Sequence, residues 1–142
     1  MITTEEIAVK VYQMLQDAVT SGSLTIDGEI DYERTDYEHE GIIIVPHTID
    51  GEGSVRFGQV NVNIHVPDLA NAGDRSVYRI NKIRLIELRS AVIDILKRHF
   101  ELGTGYNWKI GLLNPAIKEQ NHNEHFFSMA LEITVREIKN NS

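Results

Sequence analysis

The chain has 142 residues, of which 42% are hydrophobic and 25% are charged, a composition typical of one globular domain with its own core. It contains no cysteine, which excludes a disulfide framework and thiolate chemistry. The net charge of −7 argues against a general nucleic-acid binder, because phosphate binding requires clustered lysine and arginine. With no signal-peptide pattern and no long apolar run, we expect a single cytoplasmic domain over residues 1–142 with no membrane span.

The first predicted element is an amphipathic helix over residues 4–20. Thr3 and Glu6 have the spacing of a capping box, and acidic residues in the first turn favour the positive end of the helix dipole. Gly22 is a typical C-terminal stop. Apolar residues share one face, so this helix must pack against another element; they are Ile7, Ala8, Val11, Met14, Leu15 and Ala18.

Residues 27–40 carry most of the net charge, with seven acids and one base, Arg34. Residues 29–33 alternate between acidic and apolar side chains, which predicts a short strand with a charged outer face, and residues 35–40 are a polar loop. Two interpretations remain open. The acids either protect a sheet edge from pairing with other sheets or form a docking or lumen-facing strip. This predicted acidic strip comprises Asp27, Glu29, Asp31, Glu33 and Glu38.

A hairpin follows the acidic segment. Residues 41–46 are a β-branched run that predicts a buried strand, and the glycines beside Asp50 and Glu52 predict a protruding turn over residues 47–54. Residues 55–66 form the next strand. Its apolar phase moves by one residue at Gly58, which predicts a β-bulge there. The face opposite the apolar one is lined by Asn61, Asn63 and His65.

The longest helical pattern spans residues 78–100 and separates two β-rich halves. Asp74 or Ser76 could cap its start. Its apolar arc covers about half of the circumference, which suits a helix lying on a sheet. Arg89 falls inside the arc, either as an aliphatic stem with its charge in water or as an ion pair at a subunit boundary. The arc comprises Leu85, Ile86, Leu88, Val92, Ile93, Ile95, Leu96 and Phe100.

Two strands, over residues 106–113 and 126–138, complete the predicted fold. On the last strand, Phe127, Met129 and the following odd-numbered residues point to the apolar side. The order α-β-β-β-α-β-β predicts an α+β two-layer sandwich: a mostly antiparallel sheet of about four to five strands with both helices on one face. The uncovered face is either a wet surface or an oligomer interface.

No constellation of residues predicts an enzyme or a cofactor. His122 and His125 could be two metal ligands, but zinc needs three or four, and no third is spaced nearby. The acids from Asp27 to Glu38 have the spacing of a calcium loop, but Tyr32 occupies the position that requires glycine. Nucleophile and phosphate-binding motifs are also absent from the sequence.

The order and lengths of these elements resemble those of the tail-terminator, or tail-completion, proteins of long-tailed bacteriophages. The resemblance covers nearly the whole chain: a helix over residues 5–19, the strand Gln-Val-Asn-Val-Asn-Ile-His-Val at 59–66, a long helix at 80–100 and a closing strand at 126–135. It implies a non-enzymatic structural protein of a phage or prophage. Such a protein forms a hexameric ring that caps the tail tube and meets the head connector in the virion tail.

The resemblance also implies how the surfaces would be used. A negatively charged lumen, lined by the acidic strip, would let DNA pass without sequence-specific binding. From the residue patterns, and not from the resemblance, we expect self-association to use the sheet edge and the hairpin with its sheet face, at Asp50, Glu52, Arg56, Asn61, Asn63 and His65, with Arg89 at a subunit boundary. The alternative is a small acidic binding or regulatory domain that docks a basic protein.

Overall fold

The computed structural model describes residues 2–51, 53–70, 73, 77–97 and 105–137. It confirms the α+β class and the order of the main elements. The helices are α1 (Thr4–Ser21) and α2 (Lys82–Leu96). The strands are β1 (Gly28–Asp31), β2 (Glu40–Ile49), β3 (Val55–Pro67), β4 (Leu69–Ala70), β5 (Tyr78–Arg79), β6 (Tyr106–Leu113), β7 (Ile117–Lys118) and β8 (Glu124–Arg136).

The main sheet is built around its two longest strands, β3 and β8, which pair along their whole length. The strand order is β1-β2-β3-β8-β6, and β7 pairs with the first part of β8 on the side where β6 pairs with the rest. The pairing of β1 with β2 is parallel and the other pairs are antiparallel. The short strands β4 and β5 form a separate hairpin before α2. The short β7 lies between the two last predicted strands, in residues for which no strand was predicted.

Both helices pack on one face of the main sheet, as predicted. One buried apolar cluster joins residues of α1 and α2 to alternate positions of the strands, which share a face because successive side chains point to opposite sides. The strand members are Ile42, Ile44, Val60, Val62, Ile64, Val66, Phe127, Met129, Leu131, Ile133 and Val135. The opposite side, called the open face below, carries no helix within the described residues.

The ends of α1 are set by local chemistry, and the sequence predicts them correctly. The Thr3 hydroxyl accepts a hydrogen bond from the N–H of Glu6 at 3.2 Å. Gly22 follows the helix in the left-handed conformation, with φ of 83°.

The start of α2 differs from the prediction. The helix begins at Lys82, and Asn81 caps it by accepting a hydrogen bond from the N–H of Arg84. The predicted caps Asp74 and Ser76 lie outside the described residues, as do residues 98–100 at the predicted end. Four positions of the predicted arc are buried: Leu85, Leu88, Val92 and Leu96. Ile86 is instead 44% exposed.

The predicted β-bulge at Gly58 is wrong. β3 pairs with β8 in one unbroken register, and the irregularity lies across from it in β2, between Pro46 and Ile49. The apolar phase changes because Phe57 is 62% exposed on the open face, whereas Arg56 takes the buried position. Gly58 makes room for Ile49, since a Cβ at Gly58 would lie 2.8 Å from that side chain.

Candidate functional site

The acidic segment forms a compact loop at one end of the sheet. The Glu29 carboxylate accepts hydrogen bonds from the N–H and hydroxyl of Thr35, at 3.0 and 2.8 Å, and from the N–H of Asp36 at 3.2 Å. Burial alone would raise the pKa of Glu29, but these hydrogen bonds and the charge of Arg34 together lower it. Glu29 therefore organises the loop instead of facing a partner.

Arg34, the one base of this segment, points inward across the open face. Its guanidinium donates to the Glu124 carboxylate at 2.6 Å and to the His39 carbonyl at 2.5 Å. Gly41 lies beneath it, because a Cβ at that position would be 2.2 Å from Arg34 Nη1. The loop thus places a cation above the start of β2 and within reach of β8.

Glu124 is fully buried and is bound from two sides. Arg34 donates to one carboxylate oxygen, and His65 Nδ1 lies 2.9 Å from the other. Burial alone would raise the pKa of Glu124, but the hydrogen bonds and charges of His65 and Arg34 outweigh it and lower the pKa. We call Arg34, His65 and Glu124 the ionic network. Each oxygen of the Glu124 carboxylate therefore has a partner within the chain.

Aromatic contacts hold the same loop at both ends. Tyr37 stacks on His122, with ring centroids 3.5 Å apart and planes 11° apart. The Arg34 guanidinium lies 5.4 Å from the Tyr37 ring centroid. Tyr32, at the other end, stacks on Tyr12 of α1 at 5.4 Å. The loop therefore covers one end of the open face in a defined position.

A second ion pair, which sequence reasoning missed, ties the loop to α2. Arg84 donates to both carboxylate oxygens of Glu40, at 2.6 and 2.9 Å, and to the Thr25 carbonyl at 2.7 Å. Burial would raise the pKa of Glu40, but Arg84 and the N–H of Asp27 lower it. No local pattern signals this pair, because Glu40 and Arg84 are 44 residues apart.

The predicted acidic strip is therefore divided by the fold. Asp27, Glu33 and Glu38 are exposed. Asp31 is half-buried, and its carboxylate accepts a hydrogen bond from the N–H of Tyr32 at 2.7 Å. Together with Glu29, it belongs to the internal structure of the segment. The exposed acids are the part of the strip that a partner can reach.

The two candidate metal ligands lie in different environments. His122 stacks on Tyr37, whereas His125 Nδ1 lies 2.6 Å from the buried carboxylate of Asp68. Lys118 is 3.7 Å from the other oxygen of Asp68. In the part of the chain that the structure describes, no group of three or more His, Cys, Asp or Glu is arranged to hold a metal ion.

The predicted hairpin forms, but one of its interaction residues was wrongly assigned. Asp50 is exposed, and Glu52 lies outside the described residues. Arg56 is 2% exposed and sits on the helix side, where its guanidinium donates to the carbonyls of Ile2 and Asp50 and to the Glu137 carboxylate. Alternation along β3 places position 56 with the core residues, so Arg56 closes one end of the core.

The open face contains the other predicted sheet residues. Gln59 donates to the side-chain oxygen of Asn61 at 2.6 Å. The side-chain oxygen of Asn63 is buried and has no hydrogen-bond partner within the described chain. His65 shares this face, but the loop covers it and Glu124 binds it. His65 is therefore not available for an interface, while Asn61 remains partly accessible.

A groove of about 200 Å³ opens on the helix side, between α2 and the segment that joins β6 to β7. Arg89 lies at this groove, with its guanidinium 4.9 Å from the ring centroid of Phe127. No carboxylate of the described residues forms an ion pair with Arg89 or Lys82. We call this feature the α2 groove; it is lined by Ile80, Lys82, Leu85, Ile86, Arg89, Pro115, Ala116 and Phe127.

Large exposed apolar side chains occur on α1, in the acidic segment, at the β4–β5 hairpin and in two further regions. The first is the α2 groove and the residues beside it in the chain, where Ile83 is 74% exposed and Ile86, Leu113 and Ile117 are also exposed. The second is the start of β3, where Val55 and Phe57 point out from the open face. The sequence analysis did not predict either exposed region, because it placed Ile86 and Phe57 among the apolar residues that face the core.

No protein-family model and no curated protein matches this chain. Neither helix within the described residues combines the length and apolar character that a membrane crossing requires. The surfaces that another molecule can reach include the α2 groove, the exposed start of β3, the sheet edges and the exposed acids.

Proposed function

We propose that this protein is a structural subunit of a phage or prophage tail, which assembles into a ring that caps the tail tube and joins it to the head connector. The observation that supports its self-assembly is the pair of exposed apolar regions, one at the α2 groove and one at the start of β3, whereas the phage assignment follows from the resemblance in element order. Contiguous apolar surface on a folded domain marks a site of interaction with another molecule.

The two regions lie too far apart to cover each other within one copy. Phe57 pairs with Thr134, whereas Phe127 of the α2 groove pairs with Ile64. Thr134 and Phe127 are separated along β8 by roughly 23 Å at ~3.3 Å per residue. Their side chains also project from opposite faces of the sheet. This arrangement supports assembly from several copies, each of which meets one neighbour at each end.

The outer strand of the main sheet supports the same role. Within the described residues, β6 pairs with β8 on one side and has no strand on the other. The edge of a sheet is where a strand of another molecule can pair by main-chain hydrogen bonds. Such an edge, together with the apolar regions, favours a subunit of an assembly over a solitary domain.

The charged groups fit a structural role as well. The ionic network fastens a loop across the sheet, and its carboxylate is already occupied. The acids that remain exposed, Asp27, Glu33 and Glu38, would give a ring an anionic surface that does not retain DNA.

The test is the mass of the purified protein. Sedimentation velocity from micromolar to millimolar concentration is expected to show a discrete oligomer, a ring of six copies of the 16.1 kDa chain, and negative-stain electron microscopy should show that ring. A pure monomer over the whole range contradicts the proposal.

A second candidate function is favoured by the exposed acids alone. In it, the protein is a small monomeric or dimeric domain that docks a basic protein through Asp27, Glu33 and Glu38. Reversing the charge at Glu33 and Glu38 would then abolish capture of a lysine-rich peptide without changing the mass of the protein. Unchanged capture by the reversed variant contradicts this second function.

A further inference from the structure

We propose that the start of β3 in one copy docks into the α2 groove of the next copy, with Phe57 inserted in the groove and Asp50 facing Lys82 and Arg89. This inference rests on the proposed self-assembly and identifies its interface. The occupant of the α2 groove is thus a second copy of this chain.

The size and lining of the groove match a single large apolar side chain. At about 200 Å³ it is smaller than the roughly 300–1,000 Å³ of pockets that hold drug-sized ligands. Aliphatic side chains and the Phe127 ring form most of its lining.

Phe57 is the apolar side chain best placed to enter it. At 62% exposure it is the most exposed aromatic residue of the described chain. Val55 lies two residues away on the same face and is also exposed, so the two side chains form a small continuous apolar surface. Nothing in the described part of its own copy covers this surface.

Charge complementarity supports the same pairing. Lys82 and Arg89 flank the groove without an ion-pair partner among the described carboxylates. Asp50 is exposed at the other end of the molecule, and its carboxylate lies 3.4 Å from the N–H of Phe57. Asp50 and Phe57 are therefore adjacent on one surface, an acid beside an aromatic ring. The α2 groove has the complementary arrangement, with two cations beside an apolar lining.

The positions of the two surfaces determine the kind of assembly. They lie at opposite ends of the long strands and on opposite faces of the sheet. A two-fold dimer would need the start of β3 and the α2 groove of each copy to lie in the same interface, and this arrangement keeps them apart. Head-to-tail contacts remain, and these produce a ring when the rotation between neighbours closes and a filament when it does not. The inferred interface is accordingly one that can build the proposed ring.

Disulfide cross-linking can test the contact, because the natural chain has no cysteine. One variant carries Val55→Cys, which keeps Phe57, and a second carries Ile86→Cys, at an exposed position in the groove lining. After mixing and mild oxidation, we expect a disulfide-linked dimer that contains one copy of each variant. The matched control pairs Ile86→Cys with Val9→Cys, at a similarly exposed apolar residue on α1, and should give no such product.

Sedimentation of charge and apolar variants tests the energetics. Phe57→Ser and Lys82→Glu should each weaken self-association roughly tenfold or more, as expected for residues central to an interface. Val9→Ser should leave it unchanged. Asp50→Lys added to Lys82→Glu should restore association, since the pair of charges is exchanged. The fluorescence of Trp108, which is buried, verifies that each variant is folded.

The outcomes separate this inference from the proposed function. An oligomer that keeps its mass in Phe57→Ser and gives no 55–86 cross-link overturns the inferred interface and leaves the ring in place. A natural chain that is monomeric at every concentration and gives no cross-link overturns both. A cross-link with weakened association in Phe57→Ser and Lys82→Glu supports both.

Discussion

Replacing Arg34 with methionine removes one of the two donors that hold the buried charge of Glu124. Methionine keeps an unbranched side chain above Gly41 but lacks the guanidinium that donates to Glu124 at 2.6 Å. Removing one partner of a buried ion pair costs about 3–5 kcal/mol, because the remaining charge stays buried. His65 still contacts Glu124, so we expect the lower end, a loss of about 3 kcal/mol in the free energy of unfolding at pH 7.

The same substitution should change how stability depends on pH. In the natural chain, burial alone would raise the pKa of Glu124, but His65 and Arg34 bring it below its ordinary value. A lowered pKa stabilises the fold above the unfolded-state pKa of about 4.3, and this stabilisation is lost as the pH falls through the lowered value. In Arg34→Met, only His65 still lowers the pKa of Glu124, so burial raises this pKa relative to the natural chain. Protonation of Glu124 then removes the incompletely paired charge. The stability difference should therefore be largest near neutral pH and shrink below roughly pH 4.

Urea unfolding between pH 3.5 and 8 measures both effects. Trp108 is the single tryptophan, is buried, and donates to the Leu96 carbonyl at 2.9 Å, so its fluorescence reports loss of the core. Lys109→Met is the matched control, because the Lys109–Glu132 pair is exposed and its loss should change stability by less than about 0.5 kcal/mol. If Arg34→Met unfolds like the control at pH 7, or if its deficit does not vary with pH, the account of the ionic network is refuted.

Three further substitutions test the core, a close backbone contact and the second ion pair, all by the same unfolding assay. Leu88→Ala should cost about 2–5 kcal/mol, since it leaves a cavity in the core, and unchanged stability would contradict the assigned face of α2. Gly28→Ala should cost about 3 kcal/mol, because its Cβ would lie 1.7 Å from the Glu40 carbonyl oxygen. A loss no larger than that of the exposed control Ser23→Ala would show that β1 moves freely to make room. Arg84→Met should cost about 1–3 kcal/mol by leaving Glu40 without its main donor, and the loss should shrink below roughly pH 4. An equal loss at pH 3.5 and pH 7 would exclude Glu40 as the cause.

Local signals predicted the elements whose ends depend on neighbouring residues. The side chain of Thr3 and the backbone freedom of Gly22 act within one turn of α1, so its bounds follow from the sequence. The bounds of β6, at residues 106–113, were also predicted correctly. In contrast, Asn81 caps α2, and a preference for Asp or Ser alone pointed to earlier residues.

Alternation failed at β3 for a physical reason. The pattern assumes that apolar residues face the core, but Phe57 and Val55 are exposed, and Arg56 is buried because Glu137 and two carbonyl groups satisfy its guanidinium. A buried charge of this kind depends on groups 54 and 81 residues away. A local stretch of sequence does not contain these groups, so it cannot show that Arg56 is buried in place of Phe57. Both the misassignment of Arg56 and the wrongly predicted bulge follow from this.

By itself, the amino-acid sequence determined the α+β class, the order of the main elements and the face that most core residues occupy, because helix caps and residue periodicity act over a few neighbouring positions. The tertiary structure alone decided which charged groups are buried together and which apolar groups stay outside. Arg34 and Glu124 are 90 residues apart, and the α2 groove joins residues from α2, β8 and the segment before β7. Such contacts exist only once strand pairing has brought distant segments together, and they include the surfaces on which the proposed assembly depends.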